Sequence, residues 1–155
     1  MITNYEKALQ AALTYLDYQS RTRREVERRL LRAGYEADDI EAVLHELELA
    51  GYVNDERYSS EWVESRGQRH GIGRTRLAQE LMRKGVDKET TDQALSELDP
   101  ETEFTQALEL ARKRAGVILA PDPAQKRRLA AFLQRRGYNW SIIEQVFSKL
   151  FANID

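Results

Sequence analysis

The sequence predicts an all-α fold, a tandem array of three three-helix repeats that is elongated and curved. Glycines recur at positions 34, 85 and 137, at intervals of 51 and 52 residues. A leucine lies four residues before each glycine and another aliphatic residue lies eight before it, which is the spacing of one helix face. A second helical stripe starts six residues after each glycine. Because this pattern occurs three times, we expect repeats over residues 1–53, 54–99 and 100–155.

The first helix of each repeat is predicted from the segment that precedes this helix–glycine–helix pattern. Apolar stripes at helical spacing run from Leu9 to Leu16 in repeat 1 and from Phe104 to Ala111 in repeat 3. In repeat 2 the aromatic residues Tyr58 and Trp62 take this place. The three glycines between positions 67 and 73 predict a flexible connection to the next helix.

Local signals predict where the helices end and begin. A glycine in the left-handed region ends a helix without a Cβ penalty and brings the residue after it close to the leucine four before it. Thr22 with Glu25, and Ser141 with Glu144, have the spacing of a capping box. Asp122 precedes a proline, which favours a helix start at that point.

Composition restricts the class of protein. The 155 residues hold 24 basic and 26 acidic side chains, so the net charge of −2 favours no particular partner. The absence of cysteine excludes disulfide and thiol chemistry and fits a reducing compartment. The first seven residues lack the apolar core of a signal peptide. We therefore expect a soluble cytoplasmic protein without a membrane partner.

The charges are unevenly distributed, because the middle helix of every repeat is basic. Cations recur eleven and two residues before each framing glycine. A cation two residues before the glycine stabilises the helix dipole or faces a partner, whereas one eleven residues before it faces a partner or pairs with acids on neighbouring helices. A repeated basic stripe suits an elongated anionic partner, either a DNA backbone or an acidic protein groove. The candidate partner-binding residues are Arg23, Arg24, Arg28, Arg32, Arg66, Arg69, Arg74, Arg76, Arg83, Lys84, Lys126, Arg127, Arg135 and Arg136.

Nothing in the sequence has the pattern of an active site. The two histidines, His45 and His70, lie in different repeats without a second nitrogen or sulfur ligand nearby. No glycine lies in a phosphate-binding motif, and no pair of carboxylates is singled out for acid–base work. We expect no catalytic residue, metal or cofactor, and interpret the chain as a monomeric non-enzyme. Trp62 and Trp140 are interpreted as packing aromatics.

The central segment resembles the signature of the RecX family, bacterial regulators of the RecA recombinase. The resemblance rests on the following residues: Gly51–Ser59, Trp62, Val63, Arg66, Gly73, Leu77, Glu80, Leu81, Lys84, Gly85 and Val86. Residues 21–34 and 132–138 are similar to the flanking units of the family, so the resemblance covers essentially the whole chain. Asn54 departs from the pattern, because the family usually has an aspartate there.

The resemblance implies both fold and function. RecX-like proteins are tandem three-helix repeats that bind along the groove of the RecA–single-stranded DNA filament. They limit filament extension, ATP hydrolysis and strand exchange, and so act in DNA repair, homologous recombination and the SOS response. RecA and its filament are thus the implied partners, together with weak direct DNA binding.

Two alternatives remain at this point. The first is a DNA-binding protein that uses helix-turn-helix-like basic helices directly on duplex DNA. Only Gln79 and Gln134 on those helices are of a type that reads base edges. The second is a structural adaptor of another helical complex.

Overall fold

A computed structural model describes residues 1–116 and 120–151 of the chain. These residues form nine α-helices and one π-helical segment, and they contain no strand. The all-α class and the three-helix repeats are therefore confirmed. Parts of the predicted third repeat, residues 117–119 and 152–155, lie outside the described residues. The helices are α1 (Asn4–Tyr18), α2 (Arg23–Arg32), α3 (Ala37–Leu49), α4 (Asp55–Trp62), α5 (Arg74–Arg83), α6 (Lys88–Leu95), α7 (Pro100–Ala115), α8 (Pro123–Arg135) and α9 (Trp140–Phe151).

The chain divides into two compact units. The first unit comprises Met1–Ser59 and Leu81–Thr91, and the second comprises Ser60–Glu80 and Asp92–Asp155. The division passes through α4 and α5, so residues of the predicted middle repeat belong to both units. Among the described residues, no helix combines the length and the apolar character needed to cross a membrane.

The core of the first unit lies between α1, α2 and α3. Small residues of α1 make the closest packing, since Ala8 and Ala12 are fully buried while the larger Leu9, Leu13 and Leu16 lie at the edge of the core. The predicted stripes of α2 and α3 are buried as expected: Val26, Leu30, Ile40, Val43, Leu44 and Leu47.

The core of the second unit contains a similar cluster from α7, α8 and α9. Leu129 and Leu133 of α8 face Ala107, Leu108 and Ala111 of α7 in one apolar cluster. The apolar face of α9 completes it with Ile142, Ile143 and Val146.

Each framing glycine ends a middle helix in the predicted way. Gly34, Gly85 and Gly137 have φ angles of 91°, 84° and 98°, the left-handed region that favours glycine. In each case the glycine N–H and the next N–H donate to carbonyls of the last helical turn, at 2.9–3.2 Å, which is the Schellman motif. The next residue thus bonds to the leucine four before the glycine, as the sequence predicts.

Two of the three predicted helix starts are confirmed. Thr22 with Glu25 forms a capping box at α2, and Asp122 caps α8 together with Gln125. The predicted box at Ser141 is wrong, because α9 already starts at Trp140 and Ser141 lies inside it. The side chain of Asn139 accepts from the Ile142 N–H at 3.0 Å and takes the capping role.

The connection between positions 67 and 73 is shorter than the sequence suggests. Helix α4 continues as a π-helix over Val63–Arg69, in which Gly67 is buried against Leu77 and Leu98. The remaining residues are anchored, because the Gly71 carbonyl accepts from the Tyr138 hydroxyl at 2.9 Å. The structure therefore shortens the predicted loop to residues 70–73.

Candidate partner-binding surface

The basic middle helices take part in joints between repeats, one of which lies within the first unit. The Thr22 hydroxyl, at the start of α2, donates to the Lys84 carbonyl at the end of α5 at 2.6 Å. The Arg28 guanidinium donates to the Arg83 carbonyl at 3.4 Å. The last carbonyls of a helix have no partner within that helix, so these bonds satisfy groups that would otherwise need water.

The second unit repeats this joint one repeat further along the chain. The Gly73 N–H, at the start of α5, donates to the Arg136 carbonyl after α8 at 2.8 Å. The Arg76 guanidinium donates to the Arg135 carbonyl at 3.2 Å. Thr22 and Gly73 both lie twelve residues before a framing glycine, so equivalent positions meet in the two joints.

Two of the three framing glycines are in direct contact with these joints. A Cβ atom on Gly85 would lie 2.3 Å from Cβ of Arg24, and one on Gly137 would lie 2.3 Å from Cβ of Arg76. Gly34 differs, because no atom of the described residues lies within 4 Å of a Cβ placed there. Glycine is thus required at Gly85 and Gly137 both for backbone conformation and for close approach.

A carboxylate of the following repeat contacts the first residue of the middle helix in both joints. Asp55 accepts from the Arg23 N–H at 2.9 Å, and the buried Glu103 accepts from the Arg74 guanidinium at 3.2 Å. An anion at a helix N-terminus is favourable. Burial raises the pKa of both carboxyls, although the contacts with Arg23 and Arg74 oppose the rise. Neither acid was expected to act here, and only the Asp55 position within the central signature hinted at it.

Six of the candidate cations form ion pairs among the described residues. Arg23 bonds to Glu41 and Glu48 of α3 at 2.7 Å each, and its pKa is raised mainly by the hydrogen bond to Glu48. For Arg23 and Arg74 the pairing alternative of the sequence analysis is therefore observed. These pairs join Arg23 to Glu27, Glu41 and Glu48, Arg24 to Glu27, Arg66 and Arg76 to Glu80, Arg74 to Glu103, and Lys84 to Glu25.

Glu80 is the centre of the pairing in α5. It accepts from Arg66 at 2.6 and 3.0 Å and from the Trp62 indole at 3.2 Å. Burial disfavours the charged carboxyl, but the hydrogen bond and charge of Arg66 outweigh it, so the pKa of Glu80 lies below its ordinary value. Trp62 is thereby fixed at the helix surface as a partly buried residue.

The remaining candidates present their side chains differently. Arg136 is partly buried and donates to the carbonyls of His70 and Gly71. Arg24 is exposed but lies 3.4 Å from Glu27. The exposed candidates that form no ion pair with a described carboxylate are Arg28, Arg32, Arg69, Arg83, Lys126, Arg127 and Arg135. Arg128, which was not among the candidates, is exposed in the same way.

The cations two residues before the framing glycines are the regular members of this exposed set. Arg32, Arg83 and Arg135 all point to solvent, as the helical spacing predicts. By contrast, of the cations eleven residues before the glycines, only Lys126 is exposed. The free positive charge is therefore found at the C-terminal end of each middle helix and along α8.

The described residues contain no group of three His, Cys, Asp or Glu side chains arranged to hold a metal ion. His45 and His70 are both exposed. Trp140 corrects an expectation, because 55% of its surface is exposed and its indole donates to Glu144 at 2.7 Å. It is therefore not an aromatic of the core.

Together these features define a helical-repeat protein in which each three-helix domain carries a basic middle helix. Known proteins share these three-helix domains over most of the chain. Models of the first, second and third three-helix domains of RecX match residues 8–47, 54–95 and 101–147. The chain belongs to the RecX family.

Individual relatives agree with this assignment. The regulatory protein RecX of Amycolatopsis mediterranei is 42% identical over 135 residues, which cover 86% of this chain and 77% of that protein. The regulatory protein RecX of Mycolicibacterium smegmatis is 39% identical over 156 residues, covering 97% and 83%. The crystal structure of RecX from Lactobacillus salivarius superposes with a TM-score of 0.87 at 26% identity, covering 95% of this chain and 96% of that one.

Proposed function

We propose that this protein is a negative modulator of RecA that binds in the groove of the RecA–single-stranded DNA filament. It limits filament extension, ATP hydrolysis and strand exchange without carrying out a reaction of its own. The observation that supports this most is membership of the RecX family through all three domains. RecA is thus the partner, and the cytoplasm, where RecA acts, is the site of action.

The exposed cations are consistent with this proposal. Arg32, Arg83 and Arg135 stand at the ends of three middle helices and have no ion-pair partner among the described carboxylates. A helical filament of protein and nucleic acid offers anionic groups along its length, so a protein with positive charge in each repeat is suited to follow it.

The ATPase activity of RecA on single-stranded DNA tests the function. Substoichiometric amounts of this protein should suppress ATP hydrolysis, because one modulator affects many RecA protomers of a filament. An ATPase rate that stays constant over a wide titration contradicts the proposal. In that case, tight and sequence-dependent duplex binding in a gel shift would favour the direct DNA-binding alternative.

A charge-neutralised variant tests the surface. Replacing Arg32, Arg83 and Arg135 with Gln should raise the concentration needed for half-maximal ATPase inhibition about tenfold or more, since exposed charge contacts contribute about 0.5–1 kcal/mol each. The matched control replaces Arg112, Lys113 and Lys149, which are also exposed cations in last helical turns. Equal inhibition by both triple variants would show that the middle-helix cations have no special role.

A further inference from the structure

The first unit carries an apolar and basic surface at the joint between α2 and the end of α5. Leu31 and Met82 lie at equivalent positions, three residues before Gly34 and Gly85. Each is followed by an exposed arginine that forms no ion pair with a described carboxylate. Large apolar side chains are usually covered, yet 52% of Leu31 and 58% of Met82 is exposed.

The joint connects α2 to the end of α5 beside these positions. The Arg28 guanidinium reaches the carbonyl of Arg83, the residue that follows Met82. Leu31 and Arg32 lie three and four residues after Arg28, so they continue the same helix face by one turn, about 5.4 Å. We call Arg28, Leu31, Arg32, Met82 and Arg83 the α2–α5 surface.

The composition of the α2–α5 surface decides which kind of partner it fits. Three exposed cations without an ion-pair partner among the described carboxylates favour an acidic counterpart. A phosphate backbone would satisfy them, but it offers no apolar groups to cover Leu31 and Met82. Met and Arg are enriched in protein interfaces, where the apolar side chain is buried and the guanidinium pairs at its edge.

The equivalent position in the last repeat has a different character. Gln134 of α8 stands where Leu31 and Met82 stand, and the same helix exposes Lys126, Arg127 and Arg128. Of the eight large apolar side chains exposed in the described residues, seven lie in the first unit. The exposed large apolar side chains are thus concentrated in the first unit, whereas the exposed cations occur in both.

From this contrast we propose that the α2–α5 surface docks on an acidic protein surface that also presents apolar side chains. This inference rests on the proposed function, in which that protein surface belongs to RecA. It assigns protein contact to the first unit and does not require nucleic acid for binding.

The test measures binding to RecA in the absence of DNA, by calorimetry, and binding to single-stranded DNA alone, by fluorescence anisotropy. Leu31→Ser with Met82→Ser should weaken RecA binding about tenfold or more, because central anchors of an interface each cost over 1 kcal/mol on truncation. Single-stranded DNA binding should stay unchanged. The matched control, Ile2→Ser with Tyr18→Ser, changes two other exposed apolar residues of the first unit and should bind RecA normally.

Charge reversal provides a second measurement. Arg32→Glu with Arg83→Glu should abolish RecA binding, while Arg112→Glu with Lys113→Glu, at exposed cations outside the candidate set, should leave it within about threefold. Circular dichroism of each variant should show unchanged helicity, since all four positions are exposed.

The possible outcomes separate the two proposals. If the wild-type protein inhibits RecA but the Leu31 and Met82 variant binds RecA normally, the docking surface is wrong and the proposed function stands. Loss of DNA binding instead of RecA binding in that variant assigns the surface to phosphate and also overturns the inference. Wild-type protein that neither binds nor inhibits RecA contradicts the proposed function and this inference together.

Discussion

Glu80 and Glu103 both pair with an arginine, yet their surroundings shift their pKa values in opposite directions. Glu80 bonds to Arg66 and to an indole N–H, and its pKa falls below the ordinary value of 4.5. Glu103 is almost completely buried, and one of its carboxyl oxygens has no hydrogen-bond partner among the described residues. Burial therefore raises its pKa above 4.5, against the pull of Arg74.

The two shifts predict opposite dependences of stability on pH. Ionised Glu80 stabilises the fold above pH 4.5, and this contribution is lost as the pH falls through its lowered pKa. Glu80→Gln should therefore cost about 1–3 kcal/mol at pH 7 and progressively less in acid. Glu103 contributes most below pH 4.5, and its contribution is lost as the pH rises through its raised pKa. Glu103→Gln should therefore become more favourable relative to the wild type between pH 4 and pH 7.

Urea unfolding followed by circular dichroism over this pH range measures both effects. Glu61→Gln is the control, because Glu61 is an exposed carboxylate of α4. Parallel pH curves for all three variants and the wild type would contradict the assigned surroundings of Glu80 and Glu103.

At the residue scale, the sequence was sufficient to identify the cations but not their partners. Arg32, Arg83 and Arg135 point to solvent because helical spacing alone determines their direction. Arg23 and Arg74 share another regular position, yet both are paired, since their acids come from other helices. Such distant pairs depend on how helices pack, which a single sequence does not encode locally.

The helix ends were predicted well from local signals, because a cap depends on few neighbouring residues. The glycine caps and the boxes at Thr22 and Asp122 are formed as expected. Ser141 failed as a cap because Asn139, two residues earlier, competes for the same role. The π-helix after α4 was missed, because its wider turn does not have the 3.6-residue spacing of apolar residues by which α-helices were predicted.

The three caps should differ in their tolerance to alanine. Gly34→Ala should cost about 1–2 kcal/mol, the strain of a left-handed alanine, because its surroundings are open. Gly85→Ala and Gly137→Ala should cost a further 1–3 kcal/mol or so, because the added methyl would overlap Arg24 or Arg76. Thermal unfolding of the three single variants measures this order. Equal losses at all three positions would show that the joints yield without cost.

At the scale of the whole molecule, the three-fold glycine spacing was sufficient to predict the repeats, whereas the joints between them were not foreseen. The joints use backbone carbonyls, which every sequence possesses, so no residue type announces them. The roles of Asp55 and Glu103 were not foreseen either, because the arginines that they contact lie 32 and 29 positions away in the sequence. Proteins made of repeats depend strongly on such contacts between neighbours.

Helix α5 is the middle helix whose two ends are both engaged in joints. Its start is bonded to Arg136 and Glu103, and its end to Thr22 and Arg28. The end of α2 at Gly34 is open, and α8 starts with its own capping box. Helices fray from free ends, so amide hydrogens of α5 should exchange with deuterium more slowly than those of α2 and α8. Hydrogen–deuterium exchange measured by mass spectrometry would then show that α5, at the centre of the chain, opens later than α2 and α8.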